Sequence, residues 1–188
     1  MSEETSLEHR IGVGSRVYHM TNESNWKQIC RDGFLKPNSV LPKVDDTWYD
    51  GSFTVFSVRK DFGDFKEYGL LEYLTKHVSG KHLFPERIIL LSYLLKNTDG
   101  VYVRDYSPHS PKVYVDLCGK DLFKKSLDSM ANFFLKNDEI ELINKQMTLG
   151  RKSTIPLQQY NGSYKVPEIW IPYAVPVKDI SVEEEDFK

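Results

Sequence analysis

Short segments with the composition of β-strands recur along most of this chain. They share strand length and β-branched or aromatic side chains, and they span 16–20, 52–58, 87–93, 101–103, 112–117, 168–173 and 177–180. Helical spacing of apolar residues appears over 26–30 and over 121–147, the latter with a break at 137–138, while 67–77 fits either structure. Many short strands with a few interspersed helices predict an α+β domain.

Length and charge limit how such a chain is organised. The chain has 188 residues, 40% of them hydrophobic, and a domain of that size buries enough apolar surface to fold without a disulfide or a metal. We expect a flexible arm over 1–14, a single domain over 15–182 and a solvated acidic tail over 183–188. The formal net charge of -2 excludes a uniformly basic nucleic-acid coat but allows a local basic patch.

Cysteine content and hydropathy bear on the compartment. Cys30 and Cys118 are too few for a disulfide framework or a multi-cysteine zinc site, and neither belongs to a Cys-x-x-Cys pair. No apolar run approaches the roughly 18 residues of a membrane span, and the acidic start has no signal-peptide core. We therefore expect no membrane partner and a cytoplasmic protein, or one delivered into the cytosol of a target cell.

Three common catalytic or metal-binding patterns do not fit this sequence. The segment 150–154 resembles the end of a phosphate-binding loop, but Arg151 separates the Gly from the Lys and the earlier Gly is missing. A Gly-x-Ser-x-Gly elbow is absent, which argues against an α/β-hydrolase. His77, His82 and His109 have no Cys or acidic partner at metal-ligand spacing. We predict no metal.

The predicted strand 16–20 runs directly into a helix at a polar corner. Thr21 or Asn22 can cap that helix by accepting a backbone N–H, and Gly33 is the expected stop. Functional side chains often lie at the ends of strands, and His19, near the end of this predicted strand, is the candidate functional residue. By itself, His19 fits either a hydrogen-bonded core histidine or a ligand contact.

A second polar group opens the apolar strand near the C-terminus. Glu168 follows Pro167 and precedes Ile169 and Trp170. A carboxylate in such surroundings is either an exposed strand-end glutamate or a partly desolvated functional group.

These segments, taken in order, resemble the ADP-ribosyltransferase superfamily, and most closely the branch that contains the DNA-modifying toxins of toxin–antitoxin systems. The matching segments are 19–33, with His19, Thr21, Asn25, Trp26, Ile29 and Gly33, then 55–59, reading Val-Phe-Ser-Val-Arg, and 168–177, reading Glu-Ile-Trp-Ile-Pro-Tyr-Ala-Val-Pro-Val. Residues 60–150 are largely unmatched. The sequence departs from the pattern at Met20, where related subfamilies carry Gly, and at His19, where the toxin branch usually carries Arg.

The resemblance implies two small, packed, mainly antiparallel sheets flanked by helices, with NAD bound in the cleft between them and no metal. It assigns catalysis to Glu168 and Arg59, and NAD binding to His19, Thr21, Tyr49, Phe56 and Ser57. In that assignment Glu168 contacts the 2′-hydroxyl of the nicotinamide ribose and His19 contacts the adenosine ribose. Tyr49, Phe56 and Tyr68 remain alternatives for stacking on nicotinamide. The chemistry agrees, because a fixed carboxylate stabilises the positive charge that builds on ribose as the C–N bond breaks.

The implied activity is NAD-dependent mono-ADP-ribosyl transfer to a nucleic acid or a protein, by a toxin, effector or defence enzyme with a cognate antitoxin or immunity protein. An NAD glycohydrolase and a catalytically silent binding domain of the same fold are the alternatives. The predicted loop 148–166 precedes Glu168 and mixes basic with aromatic residues, namely Arg151, Lys152, Tyr160, Tyr164 and Lys165. That mixture suits a nucleic-acid acceptor or an ordinary polar loop.

Overall fold

The computed structural model describes residues 10–58, 87–107, 115–116 and 137–183. These ranges combine helices with antiparallel strands, which confirms the predicted α+β class. The strands are β1 (Arg16–Asn22), β2 (Phe34–Leu35), β3 (Thr54–Ser57), β4 (Ile88–Leu94), β5 (Tyr102–Asp105), β6 (Ile155–Pro156), β7 (Pro167–Ile171), β8 (Val175–Pro176) and β9 (Ile180–Glu183). The longer helices in these ranges are α1 (Glu23–Asp32) and α2 (Asn137–Lys152), and 3-10 turns span Leu157–Gln159 and Val177–Asp179.

The main sheet has the strand order β6-β5-β7-β3-β1-β4-β9, and β2 pairs separately with β8. All pairings between described strands are antiparallel. β1 pairs with β4 along all seven of its residues, but within the described ranges it pairs with β3 at Tyr18↔Ser57 alone. Among the described residues, the sheet therefore has two halves, β6-β5-β7-β3 and β1-β4-β9, that are registered at one residue pair.

One face of this sheet carries the main core. Successive residues of a strand point to opposite faces, and the register turns Val17, Phe56, Val103 and Ile169 to the same side. All four are 1% exposed or less. Burying a side chain of this kind contributes about 1.5–3 kcal/mol, so alternation along short strands is sufficient to fix this face as the interior.

A smaller apolar cluster lies on the opposite face, beneath the segment between β2 and β3. Leu41 and Phe53 pack against Trp170, with Tyr49 and Tyr102 partly buried beside them. Two isolated β-bridges shape the covering segment. This segment therefore covers part of the face that carries Glu168.

The corner between β1 and α1 forms as its local sequence predicts. The side chain of Asn22 accepts a hydrogen bond from the Asn25 backbone N–H (2.7 Å), which identifies the cap among the two candidates. Gly33 ends the helix in the left-handed region, with φ of 77°. Ile29 is half-buried, whereas Cys30 is exposed, so the apolar face of α1 is narrower than its spacing indicated.

Gly33→Ala is expected to lower the free energy of unfolding by about 1–2 kcal/mol, because an alanine Cβ is strained at this positive φ. An added Cβ meets no atom within 4 Å, so the cost comes from the backbone alone. Urea unfolding followed by circular dichroism measures it. Gly12→Ala is the matched control, since that site is also open and its φ is not in the positive region. Equal midpoints for the two variants would contradict the expectation.

The second helix ends later than predicted. Within the described residues α2 begins at Asn137, where a break was predicted, and it ends at Lys152 rather than near Met147. Gly150 was read as part of a loop, but it is buried within the last turns of the helix. The predictions over 67–77 and 121–136 lie outside the described residues. No helix in the described ranges is both long and apolar enough to cross a membrane.

Two predicted strands are wrong in the parts that the structure describes. Val115 and Asp116, within the predicted strand 112–117, are helical. Most of the predicted strand 177–180 is a 3-10 turn, and β9 begins at Ile180. The turn forms because the Val177 N–H donates to the carbonyl of Gly33 (3.0 Å) and the Ile180 N–H donates back to Val177. Apolar composition alone does not show these hydrogen bonds, which is why it predicted a strand here.

The predicted acidic tail begins inside the sheet. Glu183 is the last residue of β9, and its Oε1 accepts hydrogen bonds from Ser92 Oγ (2.5 Å) and Arg16 Nη1 (3.2 Å). Residues 184–188 lie outside the described ranges. At the other end, the Gly14 N–H of the predicted arm donates to the Leu95 carbonyl (2.7 Å). Strand pairing therefore holds Glu183 in the sheet, although the run of acidic residues predicted that it would be solvated.

Candidate functional site

Glu168 lies at the second position of β7, in the interior of the sheet. It is registered with Ser57 on β3 and with Arg104 on β5, and Ser57 is registered with Tyr18 on β1. Directly opposed residues of antiparallel strands point to the same face. Arg104, Glu168, Ser57 and Tyr18 therefore form one row across four strands, on the face opposite the main core.

The Glu168 carboxylate is held through one of its two oxygens. Arg104 donates to Oε2 from Nε (3.0 Å) and from Nη2 (2.6 Å), and Trp170 donates to the same oxygen from Nε1 (3.1 Å). The side chains of Arg104 and Glu168 are 12% and 16% exposed. None of the hydrogen bonds between described residues ends on Oε1. A largely buried, charge-paired carboxylate thus keeps one oxygen available as an acceptor.

His19 lies at the point where β1 and β3 separate. Its Nδ1 is 2.8 Å from the carbonyl oxygen of Val55, which can only accept, so Nδ1 carries the proton. The side chain therefore bonds a β3 carbonyl beside the Tyr18↔Ser57 pair. In the neutral ring Nε2 is left as an acceptor. Burial lowers the pKa of His19 below its ordinary value of 6.5, although the hydrogen bond to Val55 opposes that shift.

The lowered pKa of His19 predicts that acid destabilises the protein through this residue. Below about pH 6.5 the unfolded chain protonates His19 while the folded protein does not, so its contribution is complete above pH 6.5 and is lost as the pH falls toward the lowered value. The free energy of unfolding should fall by up to about 1.4 kcal/mol more per pH unit in the wild type than in His19→Asn.

Urea unfolding between pH 7.5 and pH 5 measures this difference. Asparagine is a suitable replacement because its amide N–H can still donate to Val55 without titrating in this range. Parallel profiles for the wild type and the variant would show that His19 does not titrate differently in the folded state.

A cavity of about 360 Å³ opens between the end of β1, α1 and the chain that follows β2. Its lining combines polar and apolar side chains, namely His19, Met20, Thr21, Asn25, Gln28, Ile29, Asp32, Phe34, Leu35, Lys36 and Asn38. On the lining, Asp32 accepts hydrogen bonds from Lys36 (2.9 Å) and Gln28 (2.8 Å), which lower the pKa of its carboxyl group. The cavity can hold a small organic group with polar edges.

The two described aromatic candidates for stacking differ in accessibility. Phe56 is 1% exposed and packs in the main core, with its ring 5.5 Å from the ring of His19. No open face of Phe56 remains for a ligand. Tyr49 is half-buried, lies 4.6 Å from Tyr102 and belongs to the small cluster on the face of Glu168. Tyr68, the third alternative, lies outside the described residues.

The remaining candidates fall into two groups. Thr21 is 4% exposed and lines the cavity next to His19, while Ser57 is 8% exposed and stands beside Glu168. Arg59 lies outside the described residues. The structure thus brings Glu168 together with Ser57 on one face of the sheet, and His19 together with Thr21 on the other.

Part of the predicted loop 148–166 has a structural role. Arg151 belongs to α2 and pairs with Asp46 of the segment that covers the small cluster. The rings of Tyr160 and Tyr164 lie 4.9 Å apart and pack against the main core, and the Tyr164 hydroxyl donates to the Ser153 carbonyl (2.5 Å). These two rings are therefore used in packing. At Tyr160 and Tyr164 this favours an ordinary polar loop over a surface that stacks nucleic-acid bases.

The sequence did not indicate a functional role for Arg104 or for the side chain of Trp170, which both contact Glu168. Alternation over 101–105 does turn Arg104 away from the core, because Val101 and Val103 are buried. Its carboxylate partner is 64 residues away in sequence, and no local signal indicates that distance. The guanidinium also lies 4.8 Å from the ring of Trp170, as in a cation–π pair.

The described residues contain no cluster of three or more His, Cys, Asp or Glu that could hold a metal ion. Comparison with protein-family models, with curated proteins and with solved structures finds no match to this chain.

Proposed function

We propose that this protein is an NAD-dependent mono-ADP-ribosyltransferase, which cleaves the nicotinamide–ribose bond and transfers ADP-ribose to a macromolecule. The observation that carries the proposal is the Glu168 carboxylate, which is charge-paired and fixed through Oε2 while Oε1 accepts no bond from the described residues. This is the arrangement that a carboxylate needs to hold a ribose hydroxyl.

NAD supplies a C–N glycosidic bond whose cleavage leaves positive charge on the ribose. Glu168 is suited to stabilise that charge, because a fixed carboxylate in partly desolvated surroundings needs no reorganisation as the charge develops. Oε1 accepts the hydrogen bond of the ribose 2′-hydroxyl, and the bond strengthens as the ring becomes cationic. As the C1′–N bond breaks, nicotinamide leaves as a neutral molecule, and the nucleophilic atom of the acceptor bonds to C1′ and loses its proton.

The cavity beside His19 fits the other end of the dinucleotide. Nε2 of His19 can accept a hydrogen bond from the adenosine ribose, since Nδ1–H is already bonded to Val55. The amides of Asn25 and Gln28 offer donors and acceptors, while Ile29 and Leu35 offer apolar contact for a base. A mixed lining of this kind suits a nucleoside better than a purely charged ligand.

The junction of the two half-sheets supports the same interpretation. An NAD cleft between two small sheets requires that the strands part near the site, and β1 and β3 share one registered pair within the described residues. His19 on β1 and Glu168 on β7 lie on either side of β3. Neighbouring strands are about 4.8 Å apart, so β1 and β7 are separated by about 10 Å. His19 follows Tyr18 and therefore points to the core face, where its ring packs against Phe56, whereas Glu168 lies on the opposite face. An extended dinucleotide that contacts both residues must pass through the sheet where β1 and β3 separate. Tyr49 is the aromatic residue that we assign to nicotinamide.

Incubation with NAD labelled in the adenylate phosphate, together with separate pools of protein, DNA and RNA, tests the proposal. Label that becomes covalently attached to one pool supports transfer and identifies the acceptor class. Release of free ADP-ribose in all three pools would instead assign the protein as an NAD glycohydrolase, with water as the acceptor. If nicotinamide is not released under any condition, both enzymatic functions are contradicted and the cleft is at most a binding site.

A further inference from the structure

We propose that Arg104 is a positioning residue for the cleavage of NAD, because it holds the Glu168 carboxylate by Oε2 and so turns Oε1 toward the substrate. The inference rests on the proposed function and extends it to a residue that contacts no substrate itself.

The geometry of the ion pair distinguishes this role from a simple structural one. An arginine and a carboxylate commonly pair fork to fork, with two N–H groups on two oxygens. Here Nε and Nη2 of Arg104 converge on Oε2, and the Trp170 indole N–H adds a third donor to that oxygen. A pair that served stability alone would gain by using both oxygens. The observed ion pair leaves Oε1 without a donor among the described residues, so that Oε1 can accept a hydrogen bond from the substrate.

The guanidinium is itself fixed by its surroundings. It lies over the ring of Trp170, and that ring packs edge-on against Phe53 at 6.3 Å between centroids. The next residue, Asp105, accepts from the backbone N–H of Val166 (3.3 Å), and its own N–H donates to Ser153 Oγ (2.8 Å). These bonds hold β5 against the start of β7, the strand that carries Glu168. Arg104 therefore contacts the carboxylate from a fixed position.

Loss of this contact should affect the chemical step more than substrate binding. Without Arg104 the carboxylate can rotate and offer either oxygen to Trp170, so that Oε1 is no longer fixed toward the ribose. The hydrogen bond to the 2′-hydroxyl is strongest in the transition state, where the ribose is cationic, and misplacement therefore lowers kcat. NAD affinity, which is set largely by the rest of the dinucleotide, should change little.

The experiment compares Arg104→Gln and Arg104→Lys with the wild type in steady-state release of nicotinamide, at a temperature where circular dichroism shows all variants folded. Arg104→Gln should lower kcat by about 10- to 100-fold with KM for NAD within about twofold. Arg104→Lys should recover part of that loss, because an ammonium group retains a charged donor. Arg16→Gln is the matched control, since Arg16 also pairs with a glutamate of the same sheet, Glu183, and should leave kcat unchanged.

Repeating Arg104→Gln in a Glu168→Gln background separates positioning from general damage. If Arg104 acts through Glu168, the second substitution should lower the residual rate by no more than about twofold. The same 10- to 100-fold loss in both backgrounds would overturn the inference, as would an unchanged kcat or a loss confined to KM. In these cases an active wild type leaves the proposed function standing. A wild type that releases no nicotinamide overturns the proposed function and the inference with it.

Discussion

Glu168→Gln should lower the rate of NAD cleavage by about 10²–10³-fold while the protein stays folded. The substitution removes the negative charge and barely changes the volume of the side chain. It also reverses the polarity of the group that faces the substrate. Because Arg104 and Trp170 present three N–H donors to the Oε2 position, the amide oxygen must occupy that position. The amide NH₂ then replaces Oε1, and an acceptor for the ribose hydroxyl becomes a donor.

Initial rates of nicotinamide release at saturating NAD measure this loss. Glu141→Gln is the matched control, because Glu141 is an exposed residue of α2 and its substitution removes the same charge elsewhere. The control should keep the wild-type rate. If Glu168→Gln and Glu141→Gln have rates within about twofold of each other and of an active wild type, Glu168 is not the catalytic carboxylate and another residue must hold the ribose.

The parts of this fold that depend on local sequence could be predicted. The strand, cap, helix and stop between Arg16 and Gly33 rest on β-branched residues, an Asx cap and a left-handed glycine, which act within a few residues of one another. The strands that became β3, β4 and β7 could be read for the same reason. β3 and β7 each turn one face to the main core, which alternation records in the sequence, whereas β4 is buried along most of its length and is recognised from its continuous apolar run.

The contacts that make the site are of a different kind. Arg104 meets Glu168 because β5 and β7 are neighbours in a particular register, and a shift of β5 by one residue would turn Arg104 to the core face while Glu168 stayed in place. The same dependence separates Phe56 from Tyr49. Both are aromatic candidates for stacking, but Phe56 alternates into the core while Tyr49 lies on a covering segment. Amino-acid composition identifies both residues as aromatic candidates, but only the strand pairing shows which one is buried in the core.

The two halves of the candidate site depend on one structural feature. His19 bonds Val55 beside the Tyr18↔Ser57 pair, and Val55 is registered with Trp170, which donates to Glu168. A change at His19 can therefore reach Glu168 through β3 without any direct contact. For this reason the interpretation of any His19 variant requires the stability measurement at more than one pH alongside NAD turnover.

Arg104→Met is expected to lower the free energy of unfolding by about 3 kcal/mol, toward the lower end of the cost of breaking a buried ion pair. The substitution leaves the Glu168 carboxylate, whose side chain is 16% exposed, without its cation, while the Trp170 N–H still donates. Urea unfolding measures the change, and an unaltered dependence on urea concentration shows that the folded state is comparable. A loss below about 1 kcal/mol would mean that solvent screens the pair as it does at a surface.

The double variant Arg104→Met with Glu168→Leu separates the contribution of the ion pair to stability from its contribution to activity. Apolar replacement of both partners removes the unpaired charge, so it should recover most of the stability that Arg104→Met loses. NAD cleavage should be as slow as in Glu168→Gln or slower, because no carboxylate faces the ribose. Recovered stability without activity would show that packing alone could fill this part of the sheet and that the charged pair serves the chemistry. A double variant less stable than Arg104→Met would instead mean that the fold itself requires the Glu168 carboxylate.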